Sequence, residues 1–328
     1  MNTRDLRALP KAHLHVHLEG AMRPGTLREL ADRHGLPANL EGDGSFASFI
    51  ALYRAACEAL RGPDDLSRLV REIVEDAAAD GVAWIEISAW VSSAHAERLG
   101  LRDQAEVLNV LLDAGRRAER DLGVGVGFIV SCNRTRPPAE ATELARLAAQ
   151  HVGGGVVALG LADDETRGAA ELFAEAFAIA RDAGLIRAPH AGEHGGPDSV
   201  RRALDVLGAQ RIEHGVTSIQ DADLVRRLAD EGITLDVCPT SNVVLRVVPT
   251  LADHPLPRLL EAGVPLSLNA DDPLFFGSGV LAEYELARES FGVDDATLAH
   301  IARCSIRASG APGDLKAKAL AAIDRWAS

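Results

Sequence analysis

The chain has 328 residues, of which 47% are apolar and 25% charged, a composition that excludes an intrinsically disordered protein. Its formal net charge of -14 repels the phosphates of nucleic acids, so we expect a small-molecule ligand and no nucleic-acid polymer. No stretch reaches the ~20 apolar residues that cross a bilayer, and the four cysteines lack CxxC spacing. We therefore expect no membrane association and a reducing, cytoplasmic location.

Short apolar runs bounded by Gly, Pro or polar residues predict eight β-strands. They lie at 11–17, 82–88, 124–130, 155–161, 185–190, 210–213, 233–237 and 265–269. The segments between them have helical periodicity, as at 103–121, 139–151, 169–182, 197–207 and 220–230. Strands and helices in regular alternation indicate an α/β fold, a (β/α)8 TIM barrel that forms one domain over residues 1–328.

The connection after the first strand, at about 20–81, is longer than the others and predicts extra helices, and two further helices are predicted beyond residue 290. Phe46, Phe49, Ile50 and Tyr53 follow i, i+3, i+4, i+7 spacing within this insertion. This apolar stripe either packs against the barrel as core or covers its mouth as a lid.

The most informative stretch is KAHLHVHLEG, because alternate residues of a strand point the same way and bring imidazoles together. An isolated HxH is a weak signal that also arises for structural reasons. Three further motifs follow apolar runs: HAGE at 190–193, EHG at 213–215 and NADDP at 269–273. In a barrel of this type the carboxyl ends of all strands lie on one face, so these motifs are predicted to converge there.

Convergence would bring together His15, His17, His190 and Asp271. Three imidazoles and a carboxylate are a nitrogen and oxygen set suited to one Zn²⁺ ion with a water in the remaining position. Such an ion lowers the pKa of bound water from ~15.7 toward ~7, which makes a nucleophile available at neutral pH.

Four side chains are candidates for proton transfer and substrate binding. Glu193, on a Gly-flanked turn, is placed to protonate a substrate nitrogen, a role that requires a raised pKa. His214 would orient the water, Asp271 would accept its proton, and Asp272 would bind a ring nitrogen. Two alternatives stay open: Asp271 and Asp272 as a helix N-cap region before Pro273, and Glu213 with His214 as a structural hydrogen bond.

The other histidines carry weaker expectations. His13 shares the parity of His15 but lies deeper, so we expect it to pack inside the barrel. His194 is expected to support the site or to face solvent. The remaining histidines are predicted to be ordinary surface residues: His34, His95, His151, His254 and His300.

These residues resemble the adenosine deaminase family of the amidohydrolase superfamily. The resemblance rests on six motifs in the family's order, which span nearly the whole chain: LHVHLEG, LADDE at 161–165, HAGE, EHG, CPTSN at 238–242 and SLNADDP at 267–273. It implies a zinc-dependent barrel that adds water to C6 of an aminopurine, expels ammonia and leaves a 6-oxopurine.

Position by position, the resemblance assigns zinc to His15, His17, His190 and Asp271, protonation of N1 to Glu193, the attacking water to His214, and N7 to Asp272. We expect the substrate to contact His17, Glu19, Asp163, Gly192 and Asp272. The zinc deaminases of bases within nucleic acids use a PCxxC pattern, which this chain lacks.

Three departures from the family pattern bear on the substrate. Glu19 stands where adenosine deaminases usually have Asp near the sugar 5′ end, and this indicates a different or absent 5′ substituent. Asp163 replaces the Gly of LAGDE, so it either accepts a donor such as a sugar hydroxyl or a 2-amino group, or faces solvent. Ser88 stands where many relatives have Arg.

The leading hypothesis is a 6-aminopurine nucleoside deaminase, with adenosine first and adenine or aminodeoxyfutalosine as alternatives. Another metal-dependent amidohydrolase on the same scaffold is a competing class, although no lysine suits a carboxylated bridging ligand among Lys11, Lys316 and Lys318. A binding protein without catalysis is the third class. Assembly into a homo-oligomer is compatible with the sequence.

Overall fold

The computed structural model describes residues 4–328, and its eight parallel strands pair in the order of the chain. The strands are β1 (Lys11–His17), β2 (Val82–Ala89), β3 (Gly125–Asn133), β4 (Val156–Ala162), β5 (Ile186–Ala191), β6 (Arg211–His214), β7 (Thr234–Val237) and β8 (Leu266–Leu268). All eight predicted strands are present, with ends that differ by a few residues. The predicted (β/α)8 barrel is confirmed.

Fifteen α-helices surround the described barrel. They are α1 (Pro24–His34), α2 (Phe46–Cys57), α3 (Pro63–Ala79), α4 (Ser93–Arg98), α5 (Gln104–Leu122), α6 (Pro138–Ala149), α7 (Ala174–Asp182), α8 (Gly196–Asp205), α9 (Ala222–Glu231), α10 (Pro239–Val244), α11 (Leu256–Glu261), α12 (Pro273–Phe276), α13 (Val280–Phe291), α14 (Asp295–Ala308) and α15 (Gly313–Ala327). Short 3₁₀ helices occupy Glu19–Ala21, Ala170–Phe173, Val216–Gln220 and Leu251–Asp253. Among residues 4–328, no helix has both the length and the apolar character to cross a bilayer.

Local sequence sets the helix boundaries, as α5 shows. The side chain of Asp103 accepts a hydrogen bond from the amide of Glu106 at 2.9 Å and so satisfies a free donor of the first turn. The helix ends at Gly123, whose φ of 74° is the left-handed conformation that glycine adopts without strain. Helix α9 begins and ends in the same way, at Asp221 and at Gly232.

The barrel closes at the segment after β8. Val16 and Asp271 form a parallel bridge, in which the amide of His17 donates to the carbonyl of Asp271 at 3.0 Å and the amide of Asp271 donates to the carbonyl of His15 at 3.1 Å. Closure therefore brings the chain around Asp271 directly against the HxH strand, although the two are separated by more than 250 residues.

A buried ion cluster fills part of the barrel interior. Arg211 places Nη2 2.6 Å from Glu86 Oε2 and Nε 2.6 Å from Asp236 Oδ2, and all three side chains are buried. Ser267 Oγ donates to the other oxygen of Asp236 at 2.6 Å. Charges inside a protein require such pairing, because an isolated buried charge is strongly unfavourable.

The insertion after β1 contains α1, α2 and α3, and α2 lies across the mouth of the barrel. Ser45 caps α2, and the Phe49 ring packs on Phe276, with centroids 5.4 Å apart. At the end of the chain, α14 packs on β1 and β8, where Ser305 Oγ accepts a hydrogen bond from the Ala12 amide at 2.9 Å. The predicted extra helices are thus present at both places.

Candidate metal centre and active site

A cavity of about 450 Å³ opens at the carboxyl ends of the strands. Its floor includes His17 from β1, His190 from β5, His214 from β6, and Asp271 after β8. Parallel strands end at one face of a barrel, so residues that are distant in sequence become neighbours here.

Three imidazoles and one carboxylate converge on this floor with their ligating atoms close together. Nε2 of His15 and Nε2 of His17 each lie 3.2 Å from Asp271 Oδ1, and Nε2 of His17 lies 3.2 Å from Nε2 of His190. Around one zinc ion with bonds of about 2.0–2.2 Å, neighbouring ligand atoms stand roughly 2.8–3.6 Å apart, whether four or five ligands bind. Nε2 of His15 is fully buried and makes no aligned hydrogen bond among residues 4–328. The donor set therefore fits one such ion.

His214 also belongs to this cluster, since its ligating atoms lie within 4.8 Å of those of His15, His190 and Asp271. The individual distances favour His17 over His214 as a ligand, because His214 Nε2 is 3.8 Å from Asp271 Oδ2. His214 Nε2 is also 3.7 Å from Glu193 Oε1. This ring stands beside the ligand set, between two carboxylates.

Neighbouring side chains orient the cluster. Nδ1 of His190 lies 2.6 Å from Glu213 Oε2, and the two residues are partners in the pairing of β5 with β6. Burial alone would raise the pKa of Glu213, but the imidazoles of His190 and His15 lower it to about 2. Ser241 Oγ donates to Asp271 Oδ2 at 2.7 Å. Contacts of this kind fix the ring orientation of metal-binding histidines.

Glu193 lies on the cavity wall and is buried. Burial, together with the charges of Asp271 and Glu165, raises the pKa of Glu193 well above its ordinary value. The raised pKa favours the protonated carboxyl group, which is the state a proton donor needs.

Glu165 holds the turn that carries Glu193, a contact that the sequence did not predict. Its Oε2 accepts hydrogen bonds from the amides of Glu193 at 2.9 Å, His194 at 2.7 Å and Gly195 at 2.8 Å, and its Oε1 accepts one from the Gly192 amide. Four consecutive backbone donors thus share one carboxylate just before α8, where the helix dipole also favours negative charge.

Asp272 is buried at the start of α12, and no side-chain cap bond forms there. Burial and the adjacent Asp271 raise the pKa of Asp272 well above its ordinary value. Its Oδ1 has no hydrogen-bond partner among residues 4–328. The carboxyl group also lines the cavity, where a ligand could meet it, while the alternative of a capping role is not supported at Asp272.

Only some of the residues predicted to contact the substrate line the cavity. Asp163 and Ser88 line it, as do the stripe residues of α2. Glu19 does not line it: the side chain is buried and accepts a hydrogen bond from Tyr53 Oη at 2.7 Å. The amide and carbonyl of Gly192 are engaged with Glu165 and Thr217 inside the protein.

Two predictions about histidines are wrong. His95 and His254 are buried rather than ordinary surface residues. Nε2 of His254 lies 3.1 Å from Asn242 Oδ1, and the amide nitrogen of Asn242 lies 3.2 Å from Nδ1 of His214. Asn242 and His254 therefore position His214 through a chain of hydrogen bonds. In the sequence, the only indication of this chain is that Asn242 belongs to the CPTSN motif.

His13, in contrast, lies where it was expected. It is buried in the barrel, and its Nε2 accepts a hydrogen bond from the amide of Ala270 at 3.1 Å. His194 is half-buried, with its ring 5.3 Å from that of Phe46.

A barrel with this floor defines a hydrolase of the amidohydrolase fold, and comparisons with known proteins agree. The family described as adenosine deaminase matches residues 10–326. A putative adenosine/adenine deaminase of Streptomyces coelicolor is 49% identical over 98% of both chains. The crystal structure of adenine deaminase from Arthrobacter aurescens superposes with a TM-score of 0.89, at 35% identity, and covers 97% of this chain and 98% of that one.

A third relative bears on the metal. An amidohydrolase from Burkholderia ambifaria, solved with bound Zn, has a TM-score of 0.86 at 30% identity and covers 98% of this chain and 91% of that one. The chain belongs to the adenosine deaminase family, and it is a hydrolytic deaminase. The family predicted from the six motifs is confirmed.

Proposed function

We propose that this protein is a zinc-dependent hydrolase that replaces the 6-amino group of a free or glycosylated aminopurine with oxygen and releases ammonia. Adenine is the first substrate proposed and adenosine the second. The observation that carries the proposal is the convergence of His15, His17, His190 and Asp271 on the floor of a cavity that Glu193 also lines.

In this proposal His15, His17, His190 and Asp271 hold one zinc ion, which when bound lowers the pKa of a water toward about 7. The chain's own residues do the rest. Glu193 donates its proton to N1 of the purine, which makes C6 more electrophilic. His214, held by Asn242, orients the attacking water.

Two carboxyl groups complete the scheme. His15 and His17 keep the carboxyl group of Asp271 ionised in spite of burial, so it has room for a proton from the water. Asp271 would pass this proton to the departing amino group, which leaves as ammonia. Asp272, which lines the cavity and has a raised pKa, donates a hydrogen bond to N7. The contacts of Glu193 with N1 and of Asp272 with N7 hold the ring with C6 against the floor of the cavity.

The choice of adenine rests on the relatives and on Glu19. The Arthrobacter protein is named an adenine deaminase. Glu19, the residue expected near a sugar 5′ end, does not line the cavity, and its carboxylate is engaged by Tyr53. Adenosine remains the second substrate, because a cavity of about 450 Å³ leaves room beside a free base. A cytoplasmic location is part of the proposal, supported by four buried free cysteines.

The test is ammonia release by the full chain, loaded with zinc, from adenine, adenosine and aminodeoxyfutalosine, with the chelator-treated protein as control. We expect ammonia and hypoxanthine from adenine, and no turnover after removal of the metal. Absence of ammonia from all three, together with hydrolysis of an amide or ester, would assign the chain to another amidohydrolase activity.

A further inference from the structure

Asp163 has an unfavourable backbone conformation at the wall of the cavity. Its φ is 78°, in the left-handed region that residues with a Cβ disfavour. Within residues 4–328, the other non-glycine residues with positive φ are His214, Arg246 and Asp271, and two of these belong to the active site. Backbone strain concentrates at functional sites, and glycine would relieve it here. The presence of aspartate instead of glycine at this position therefore indicates that its side chain has a function.

The carboxylate of Asp163 is held firmly in place. Its Oδ2 accepts a hydrogen bond from the Asn133 side-chain amide at 2.7 Å, and its Oδ1 accepts one from the backbone amide of Asp164 at 2.7 Å. Asn133 is fixed in turn, because its Oδ1 accepts hydrogen bonds from the amide and hydroxyl of Thr135 at 2.9 and 2.7 Å. The Thr135 hydroxyl, whose shorter hydrogen bond goes to Asn133, also lies 3.4 Å from Asp163 Oδ2. A carboxylate has about four lone-pair positions, so these three donors still leave acceptor capacity for a ligand in the cavity.

Strand register places Asp163 at the end of the strand next to the one that carries His190, a proposed metal ligand. Leu161 of β4 pairs with Pro189 of β5, so Asp163 stands one residue beyond the level of His190 on the adjacent strand. Neighbouring strands are about 4.8 Å apart. A purine held with C6 at the floor therefore has its remaining edge close to this wall.

We propose that Asp163 accepts a hydrogen bond from the imidazole-ring N–H of a free aminopurine and so selects the base over its nucleoside. The inference rests on the proposed function. Free adenine carries one ring N–H, and in adenosine the sugar replaces the hydrogen at N9. A carboxylate only accepts hydrogen bonds, so the Asp163 carboxylate is complementary to the ring N–H of the free base. With the nucleoside bound, the carboxylate would have no N–H to accept from. Sites built around a substrate N–H reject analogues that lack it.

The decisive probe is 9-methyladenine, which lacks the N9 hydrogen but carries no sugar. We expect the zinc-loaded wild-type chain to deaminate adenine at least about tenfold more efficiently, in kcat/KM, than 9-methyladenine, as for loss of a hydrogen bond to a charged group. In Asp163→Asn and Asp163→Gly this preference should fall to less than threefold, mainly through a higher KM for adenine. Asp164→Asn is the matched control, because Asp164 does not line the cavity, and it should keep the wild-type ratio.

Two further measurements distinguish an effect of the Asp163 variants on folding from an effect on ligand preference. The thermal midpoint of Asp163→Gly should equal or exceed that of the wild type, since glycine relieves the positive φ. Binding of purine and purine riboside, measured by calorimetry, should show the same loss of preference without turnover. An unchanged ratio of adenine to 9-methyladenine in both Asp163 variants would overturn the inference, as would a loss confined to adenosine, which would identify a sugar hydroxyl as the donor. A wild-type chain that releases no ammonia from any aminopurine would overturn the proposed function itself.

Discussion

A Cβ atom added to Gly20 would lie 1.7 Å from Oδ1 of Asp272. The two residues come from opposite ends of the chain, one directly after the HxH strand and the other directly after β8. No side chain fits at residue 20 unless the carboxyl group of Asp272 moves. The glycine of the HLEG motif is therefore required because the side chain of Asp272, a residue proposed to bind the substrate, occupies the space of a Cβ atom. Its own backbone angles do not require glycine.

Gly20→Ala is accordingly expected to displace Asp272 and to lower kcat/KM for adenine by roughly two- to tenfold, the loss of one hydrogen bond between neutral groups, with the zinc content unchanged. Gly25→Ala is the matched control, since a Cβ there would meet nothing within 4 Å and alanine favours a helix. Steady-state kinetics and metal analysis of both variants provide the measurement. Equal activity of the two would show that Asp272 does not bind substrate from its present position.

Glu193→Gln removes the proposed proton donor and keeps the shape of the side chain. We expect the rate to fall by about 10²- to 10⁴-fold, the range typical of lost general acid catalysis, while zinc binding is retained. Stopped-time ammonia assays with metal analysis of the same preparation would measure both quantities. Turnover near the wild-type rate would remove Glu193 from the mechanism.

Glu165→Gln tests whether the carboxylate beneath the turn also sets the pKa of Glu193. The negative charge of Glu165 contributes to the raised pKa of Glu193, so its loss lowers that pKa. A donor with a lower pKa loses its proton at lower pH, and the alkaline limb of the kcat/KM profile should therefore move toward acid. An alkaline limb at the wild-type pH, with activity otherwise intact, would contradict this electrostatic role.

Much of the architecture follows from local sequence patterns. Alternating apolar strands and amphipathic helices predict the barrel, and strand parity predicts that His15 and His17 share a face. The pairing of His190 with Glu213 was also within reach, because β5 and β6 are neighbours in a barrel and both motifs end their strands.

Other features depend on tertiary contacts that no local pattern contains. His254 follows a short 3₁₀ helix in a loop-rich segment, and only the side chain of Asn242 connects it to His214. Glu165 lies 27 residues before Gly192, the first residue whose amide donates a hydrogen bond to it. The two come into contact only because β4 and β5 are adjacent strands in the barrel. Glu19 belongs to the HLEG motif, yet its direction is set by Tyr53 of the insertion.

Glu213→Gln should weaken zinc binding, because the carboxylate that orients His190 becomes a neutral amide. Loss of such partners costs about 10- to 100-fold in metal affinity. Competition titrations with a chromophoric chelator would measure the zinc dissociation constant, with the exposed Glu261→Gln as control. An affinity equal to that of the wild type would mean that packing alone fixes the His190 ring.

The ion cluster inside the barrel gives a prediction about stability rather than activity. Arg211→Met leaves Glu86 and Asp236 buried without their cation, and removal of one member of a buried pair costs about 3–5 kcal/mol of unfolding free energy. Burial already raises the pKa of Asp236 to about 6, and loss of the arginine raises it further. A group whose folded pKa is raised loses stability as the pH rises, so the deficit of the variant should shrink as the pH falls from alkaline values through 6. Urea unfolding at several pH values, with the exposed pair variant Arg146→Met as control, would measure it. A deficit that is the same at every pH would show that neither carboxylate takes up a proton when its partner is removed.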